Sequence, residues 1–206
     1  MTLLTVIVAT LFTLSGCTGA RRPGGFGAGV DDQGAAVNKL APSVATTLAM
    51  VDAMLTLADV KNTDMVYDLG SGDGRIVIAA AKKFGARAVG FEIDPDFVKA
   101  SRDNVRREGL HDLVEIRQQD ILEADLSAAS VVTLYLFPEA NRKLRPRLWS
   151  QLKPGARVVS NYFDMDEWRP DKVIEMRDPM TGFYHKIYLW RITDAVKNMP
   201  LNRNDR

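Results

Sequence analysis

The stretch VYDLGSGDGR, residues 66–75, constrains the fold more than any other part of the sequence. Three glycines at alternate positions, Gly70, Gly72 and Gly74, directly follow an apolar run. Glycine is favoured where the backbone needs a positive φ or must approach another group closely. An apolar strand, a glycine-rich turn and a following apolar helix predict the first βα unit of an open α/β sheet.

The residues that follow repeat this alternation. Predicted strands cover 65–69, 87–93, 114–118, 130–137 and 156–160, and predicted helices cover 75–84, 95–108 and 138–152. Nearly continuous apolar runs such as VVTLYLF are typical of parallel strands that are covered on both faces. Near the end, segments 172–176 and 183–192 are joined by a short turn and predict an antiparallel hairpin. The sequence therefore predicts an α/β, Rossmann-like domain with a mostly parallel seven-stranded sheet, an antiparallel C-terminal hairpin strand and helices on both faces.

The sequence divides into a hydrophobic segment, residues 1–20, a glycine-rich linker, residues 21–41, the predicted domain, residues 42–192, and a polar tail, residues 193–206. Within the domain, Pro42 and Ser43 are expected to open a helix that precedes the first strand of the sheet.

The hydrophobic segment has no charged side chain and is apolar from Leu3 to Leu14. At 1.5 Å per residue, about 20 residues just cross a bilayer of roughly 30 Å. Arg21 and Arg22 follow, and the positive-inside rule places them, with the domain, in the cytoplasm. We therefore expect a membrane-anchored protein with a cytoplasmic domain. The sequence LSGC resembles a bacterial lipoprotein cleavage box, so an exported protein lipidated at Cys17 is one alternative, and a buried core helix is another.

Charge and composition restrict the classes of site. The chain has 27 Lys and Arg against 26 Asp and Glu, for a net charge of +1, which does not favour a nucleic-acid partner. The single cysteine excludes an intrachain disulfide. The two histidines, His111 and His185, lie far apart without metal-ligand spacing, so we expect no metal site.

Three acids accompany the glycine turn. The backbone N–H groups of such a turn attract a carboxylate or a phosphate, although a tight turn without a ligand is the alternative. Glu92 closes the second strand 20 residues after Gly72, the spacing at which an acid can bind a ribose diol. Asp120 follows the third strand, where it can meet an adenine amino group or simply cap a turn. Asp68, directly before the turn, attracts an ammonium and repels a pyrophosphate, which favours an amino-acid-bearing nucleoside over NAD.

The motifs VYDLGSGDGR, GFEIDP and QQDI, in this order, resemble those of class I S-adenosylmethionine-dependent methyltransferases. The stretches DLGSGDGRIVIAAAKKFGARAVGFEIDP, VVTLYLFPEAN and LRPRLWSQLKPGARVVS are similar to seven-stranded protein-lysine methyltransferases of the FAM173 type and their archaeal relatives. The resemblance covers roughly residues 42–192. The chain departs from that family at residues 41–46, which replace a VPTP-like entry, and at the LSGC box.

For the cofactor, this resemblance implies S-adenosyl-L-methionine. Asp68, Gly70 and Gly72 are then expected around its methionine part, Glu92 at its ribose and Asp120 at its adenine.

For the acceptor, the resemblance implies a lysine side chain of a protein, with a membrane protein among the expected substrates. Tyr135, Phe137 and Pro138 are expected to border the acceptor pocket, although core packing is the other interpretation of the two rings. His185 is a further candidate for the site. The basic run at residues 141–149 is interpreted as a solvated helix face rather than an RNA-binding surface. Methylation of RNA or a small molecule, and a non-catalytic nucleoside-binding lipoprotein, are the alternatives.

Overall fold

The computed structural model describes residues 29–30, 36–37 and 46–200. The expected membrane segment, most of the linker, the proposed lipidation site and the start of the helix expected at Pro42 therefore lie outside the described residues. The chain divides into two compact units, residues 1–38 and 39–206. In the first unit, β1 (Gly29–Val30) pairs antiparallel with β2 (Ala36–Val37), a pairing that was not predicted within the linker.

The described part of the second unit is an alternation of helices and strands. Its elements are α1 (Leu48–Leu57), β3 (Met65–Leu69), α2 (Arg75–Phe84), β4 (Arg87–Glu92), α3 (Pro95–Arg107), β5 (Val114–Gln118), β6 (Val131–Leu134), α4 (Pro138–Gln151), β7 (Arg157–Asn161), β8 (Lys172–Arg177), β9 (Tyr184–Arg191) and α5 (Asp194–Lys197). Among the described residues, seven strands form one sheet in the order β5-β4-β3-β6-β7-β9-β8. Strands β3 to β7 are parallel, and β9 runs antiparallel to both of its neighbours. This architecture confirms the predicted fold class.

Helices cover both faces of the sheet. On one face, α1, α2 and α3 contribute buried side chains such as Met54, Val77 and Val98 to one core. On the other face, Leu144, Leu148 and other α4 residues pack with β-strand residues in a second core. None of the helices in the described ranges is long and apolar enough to cross a bilayer.

The structure corrects two predicted boundaries. Strand β6 ends at Leu134 rather than at residue 137, because Phe137 is the extended N-cap of α4 and Pro138 occupies the first turn of that helix. In the predicted polar tail, residues 194–197 form the short helix α5, whose N-cap Thr193 accepts a hydrogen bond from the backbone N–H of Val196. Val196 and Met199 also pack against the second core, which fixes this part of the tail.

Candidate functional site

The glycine turn connects β3 to α2 at the carboxyl end of the sheet. The backbone N–H groups of Gly70 and Ser71 both donate to the Phe91 carbonyl at 2.9 Å, so the turn folds back on β4. Gly74 has φ +81°, and a Cβ there would lie 3.1 Å from the Ser101 Cβ of α3. Gly72 has φ +52°, with no atom within 4 Å of where its Cβ would be. The positive φ and the close packing thus explain why residue 74 is glycine, whereas the absence of a side chain at Gly72 leaves an open cradle above the turn.

Glu92, the last residue of β4, is bound to this turn. Its Oε2 accepts a hydrogen bond of 2.8 Å from the Gly72 N–H. Its Oε1 accepts from the N–H groups of Ile93 at 2.8 Å and Asp94 at 3.0 Å. The structure therefore brings together the two residues that were predicted to share one ligand, Gly72 and Glu92.

Asp68 is buried on β3, with 2% of its surface exposed. The Thr133 hydroxyl on the neighbouring strand β6 donates to its Oδ1 at 2.6 Å. Burial raises the pKa of the Asp68 carboxyl from 3.8 to about 7; the Thr133 hydrogen bond opposes this shift, and the negative charges of Glu92 and Asp73 add to it. A positive charge placed beside Asp68 would restore the ionised carboxylate, as expected for a residue that binds an ammonium.

Asp120 lies two residues beyond the end of β5 and is half-buried. Because Glu92 pairs with Gln118 in the sheet register, the carboxyl ends of β4 and β5 are adjacent. The Asp120 Oδ1 accepts a hydrogen bond of 2.8 Å from the Leu122 N–H, so this oxygen caps a turn. Asp120 therefore lies at the same edge as Glu92, and its predicted contact with adenine remains a prediction.

The two predicted acceptor aromatics follow β6 and share one neighbour. The Phe163 ring lies 6.4 Å from the Tyr135 ring and 5.8 Å from the Phe137 ring, centroid to centroid. Tyr135 and Phe137 are each only half-buried, unlike residues of a closed core. Partial burial, and secondarily the Tyr162 hydroxyl, raises the pKa of the Tyr135 phenol, which keeps it neutral. Pro138 is exposed and begins α4, so the helix start accounts for its position.

The segment after β7 adds residues that were not predicted from the sequence. The Tyr162 ring lies 5.0 Å from that of Phe163 and 5.5 Å from that of His185. The His185 Nδ1 lies 3.1 Å from the Asn161 Oδ1, so this histidine joins the group. The sequence carries a signal for Tyr162 and Phe163, because NYFD directly follows the strand predicted over residues 156–160, and Tyr135 and Phe137 likewise lie at the end of a predicted strand. We call Tyr135, Phe137, Tyr162 and Phe163 the aromatic cluster.

The site thus has two chemically different parts at one end of the sheet. The carboxyl ends of β3, β4 and β5 present acids and a glycine turn, which suit a cationic, hydroxyl-bearing nucleoside. The carboxyl ends of β6 and β7 present the aromatic cluster. Within the described ranges, no group of His, Cys, Asp and Glu residues is arranged to hold a metal ion.

Comparison with known proteins identifies similar chains. The family model of the ANTKMT methyltransferase domain matches residues 68–172. A protein-lysine N-methyltransferase of Saccharolobus islandicus is 41% identical over 152 residues, which are 73% of this chain and 93% of the archaeal protein. The adenine nucleotide translocase lysine N-methyltransferase of Mus musculus is 35% identical over 133 residues, 65% of this chain and 58% of that protein. The crystal structure of an RNA methyltransferase from Salinibacter ruber, in complex with S-adenosyl-L-homocysteine, is 52% identical, has a TM-score of 0.71, and matches 77% of this chain and 98% of that one.

The residues of the site fit S-adenosylmethionine. A side chain at Gly72 would fill the open cradle, and its absence leaves room for a ligand on the turn. Asp68 is a buried acid that forms no ion pair among the described residues, and it suits the ammonium of the methionine part. Glu92 presents a half-buried carboxylate beside the turn, which suits the ribose hydroxyls.

Proposed function

Because the chain belongs to the family of ANTKMT methyltransferase domains and is an S-adenosylmethionine-dependent methyltransferase, we propose that its acceptor is the side-chain amine of a protein lysine. One observation carries the proposal: the aromatic cluster lies at the carboxyl ends of β6 and β7, with Tyr135 two residues beyond the Thr133 that bonds Asp68. Such rings accommodate both the aliphatic stem and the charged end of a lysine. The Saccharolobus islandicus relative, a protein-lysine N-methyltransferase, supports the same acceptor.

When bound, S-adenosylmethionine supplies a methyl group on a sulfonium, which is an activated leaving group. The residues that would hold it are Asp68, Gly70, Gly72, Glu92 and Asp120. Their task is to bind and orient, since no covalent intermediate with the protein is required.

A lysine acceptor must lose a proton before it can act as a nucleophile. With a reference pKa near 10.4, the neutral amine costs about 4–5 kcal/mol at pH 7. The rings can hold the cationic lysine as it arrives. Exclusion of water by half-buried rings such as Tyr135, Phe137 and Phe163, together with the positive charge of a bound sulfonium, would then disfavour the ammonium and lower this cost. The Tyr135 phenol, whose pKa is raised further above the ordinary value near 10, is neutral at pH 7 and adds no negative charge that would stabilise the ammonium.

An RNA acceptor is the second candidate. It is favoured by the Salinibacter ruber RNA methyltransferase, which shares 52% identity with this chain. Aromatic rings also stack on unpaired bases, so the cluster alone does not distinguish the two acceptors. The net charge of +1 makes protein the better candidate, since RNA-binding domains usually carry a strong positive charge.

We further propose that the substrate is a membrane protein and that the enzyme is held at the membrane by residues 1–20, with the catalytic domain in the cytoplasm. The charge-free apolar segment followed by Arg21 and Arg22 supports this arrangement. The Mus musculus relative, an adenine nucleotide translocase lysine N-methyltransferase, supports a protein substrate. Lipidation at Cys17 of an exported protein is the competing arrangement.

A labelling experiment tests the acceptor. The full-length protein, purified in detergent, is incubated with methyl-labelled S-adenosylmethionine and membrane extract, and portions are then treated with protease or RNase. We expect protease to remove the label and RNase to leave it in place. After hydrolysis of the labelled protein, the label should be recovered as methyl-lysine.

Two variants serve as controls for the cofactor site. Glu92→Ala should weaken S-adenosylhomocysteine binding by roughly 1.5–3 kcal/mol, the scale of hydrogen bonds to a charged group, and should lower the labelling. Glu108→Ala removes an exposed acid that follows the C-terminal end of α3, away from the carboxyl ends of the strands, and should retain both. Label that survives protease but is lost to RNase would overturn the lysine proposal in favour of RNA.

A further inference from the structure

We propose that Tyr162 is a specificity-determining residue for the acceptor: its ring forms one wall of the passage through which the acceptor lysine reaches Tyr135. This inference rests on the proposed protein-lysine acceptor. Tyr162 belongs neither to the glycine turn nor to the acids that are proposed to bind the cofactor.

The backbone of Tyr162 is held in an unfavourable conformation. Its φ is +72°, a region that bulky side chains rarely adopt. The Phe163 N–H donates to the Asn161 carbonyl at 2.9 Å across this residue, which makes a three-residue turn with a positive φ at its centre. Turns of this kind are rare and strained when the central residue is not glycine.

Neighbouring elements fix this turn from three sides. The Tyr162 N–H donates to the Lys186 carbonyl of β9 at 2.8 Å. The Ser160 hydroxyl donates to the Phe163 carbonyl at 2.6 Å, and the Asn141 amide of α4 donates to the Asp164 carbonyl at 3.1 Å. Strain persists in proteins where the surroundings determine the conformation in this way, and such positions cluster at functional sites.

Burial of the Tyr162 side chain does not account for this conformation. The residue is 45% exposed, although its ring contacts Phe163 and His185. Because nearly half of the side chain is in solvent, packing of the ring offsets little of the free-energy cost of the strained backbone. The conformation therefore serves the placement of the ring, which projects beside the residues that are proposed to receive the acceptor.

A cleft of about 260 Å³ opens next to this ring, lined by Tyr162, Glu175, Tyr184 and Lys186. The β8–β9 pairing continues for three residue pairs beyond the last β7–β9 pair, Asn161 with Ile187, and so forms the outer wall of the cleft. Glu175 and Lys186 are directly opposite each other in this extension, so their charges balance. The passage therefore selects its substrate by shape and by contact with the two tyrosine rings, more than by charge.

The test compares three variants of the full-length enzyme with wild type on the protein acceptor found by labelling. In Tyr162→Gly the ring is removed and a residue that tolerates φ +72° is introduced, so we expect the melting temperature to be retained. We expect the acceptor KM to rise about tenfold or more, while kcat and S-adenosylhomocysteine affinity change by less than about threefold. Tyr162→Phe keeps the ring and should retain the wild-type KM. The matched control is Asp59→Gly, a substitution at φ +52° beyond the end of α1, which should leave all three parameters unchanged.

The outcomes distinguish a failure of the role proposed for Tyr162 from a failure of the proposed acceptor. A Tyr162→Gly enzyme with the wild-type acceptor KM, or one that loses cofactor binding in parallel, would overturn the role of Tyr162 while leaving the lysine acceptor intact. A wild-type enzyme that labels RNA and no protein would overturn the proposed acceptor itself, and the lysine passage with it.

Discussion

At Asp68, the stability of the unliganded protein conflicts with the proposed binding of the cofactor. Its carboxyl is buried beside the Thr133 hydroxyl, with no ion pair among the described residues, and its pKa is raised to about 7. Because the raised pKa disfavours the ionised form in the folded state, the unliganded protein loses stability as the pH rises from about 4 to 7, and this loss persists above pH 7. In the proposed site, the same unpaired carboxylate attracts the ammonium of S-adenosylmethionine. Stability is therefore lost at this residue in favour of cofactor binding.

This conflict predicts opposite effects of Asp68→Asn on stability and binding. At pH 8 the variant should melt several degrees above the unliganded wild type, and the difference should shrink as the pH falls towards 4, because wild-type Asp68 then becomes protonated.

The affinity of wild type for S-adenosylmethionine should fall up to about tenfold per pH unit between pH 7 and 5.5, since binding must first ionise Asp68. The variant should bind weakly without that pH dependence. Scanning calorimetry between pH 4 and 8 measures the melting temperatures. Titration calorimetry between pH 5.5 and 7, below the pKa of an α-amino group near 7.7–8.0, measures the affinities. A wild-type affinity that does not change with pH would contradict the role of Asp68.

At the scale of the elements, the strands β3, β6 and β7 are joined at their amino ends by a network opposite the site. Asp64, directly before β3, accepts a hydrogen bond of 2.7 Å from the Ser130 hydroxyl and forms an ion pair with Arg157, the first residue of β7. The side chains of Asp64 and Arg157 are only 8% and 17% exposed. Arg157 also donates to the Ala58 carbonyl at 2.8 Å, which fixes the end of α1 to the sheet.

Removing one partner of this buried pair should destabilise the domain without affecting the site. We expect Asp64→Ala to lower the free energy of unfolding by about 3 kcal/mol, because Arg157 is left with an uncompensated, largely buried charge. Denaturant unfolding measures this loss, and S-adenosylhomocysteine affinity should stay at the wild-type value. Asp103→Ala removes the partner of Arg106 in an exposed pair on α3 and should cost less than about 0.5 kcal/mol. Equal stabilities of the two variants would show that the network contributes little.

The sequence predicted the existence and order of the sheet strands and helices because apolar periodicity and glycine or proline boundaries reflect local backbone preferences. The predicted strand was longer than β6, because the apolar run continues through Tyr135 and Phe137 whereas the sheet pairing ends at Leu134. The strained turn at Tyr162 was missed because it violates the preference of that residue and depends on bonds from distant elements. His185 is a candidate from its place in the last predicted strand, but its contact with Asn161 depends on the register of β7 and β9, which residue patterns do not encode.

At the scale of the whole molecule, the proposed catalytic site and the proposed membrane location depend on different parts of the chain. The described residues 46–200 contain the glycine turn, the three acids and the aromatic cluster. Residues 1–20 carry no charge, and Arg21 and Arg22 follow them. A membrane location would bring the acceptor passage close to substrates in the same bilayer and raise their effective concentration, without any new contact.

Cys17 and the arginine pair allow the two proposed arrangements to be separated. If residues 1–20 span the bilayer, Cys17→Ser should leave a C-terminal fluorescent fusion in the membrane fraction, because the apolar segment does not depend on the thiol. A C-terminal phosphatase fusion, which is active only outside the cytoplasm, should be inactive in wild type and in Cys17→Ser. Replacing Arg21 and Arg22 with Glu should raise its activity, since the positive charges that favour the cytoplasmic side are removed. A lipid-anchored, exported protein predicts the reverse: an active phosphatase fusion in wild type, and a processed, lipid-modified Cys17 whose modification is lost in Cys17→Ser. That result would also place the methyltransferase domain outside the cytoplasm and overturn the proposed location.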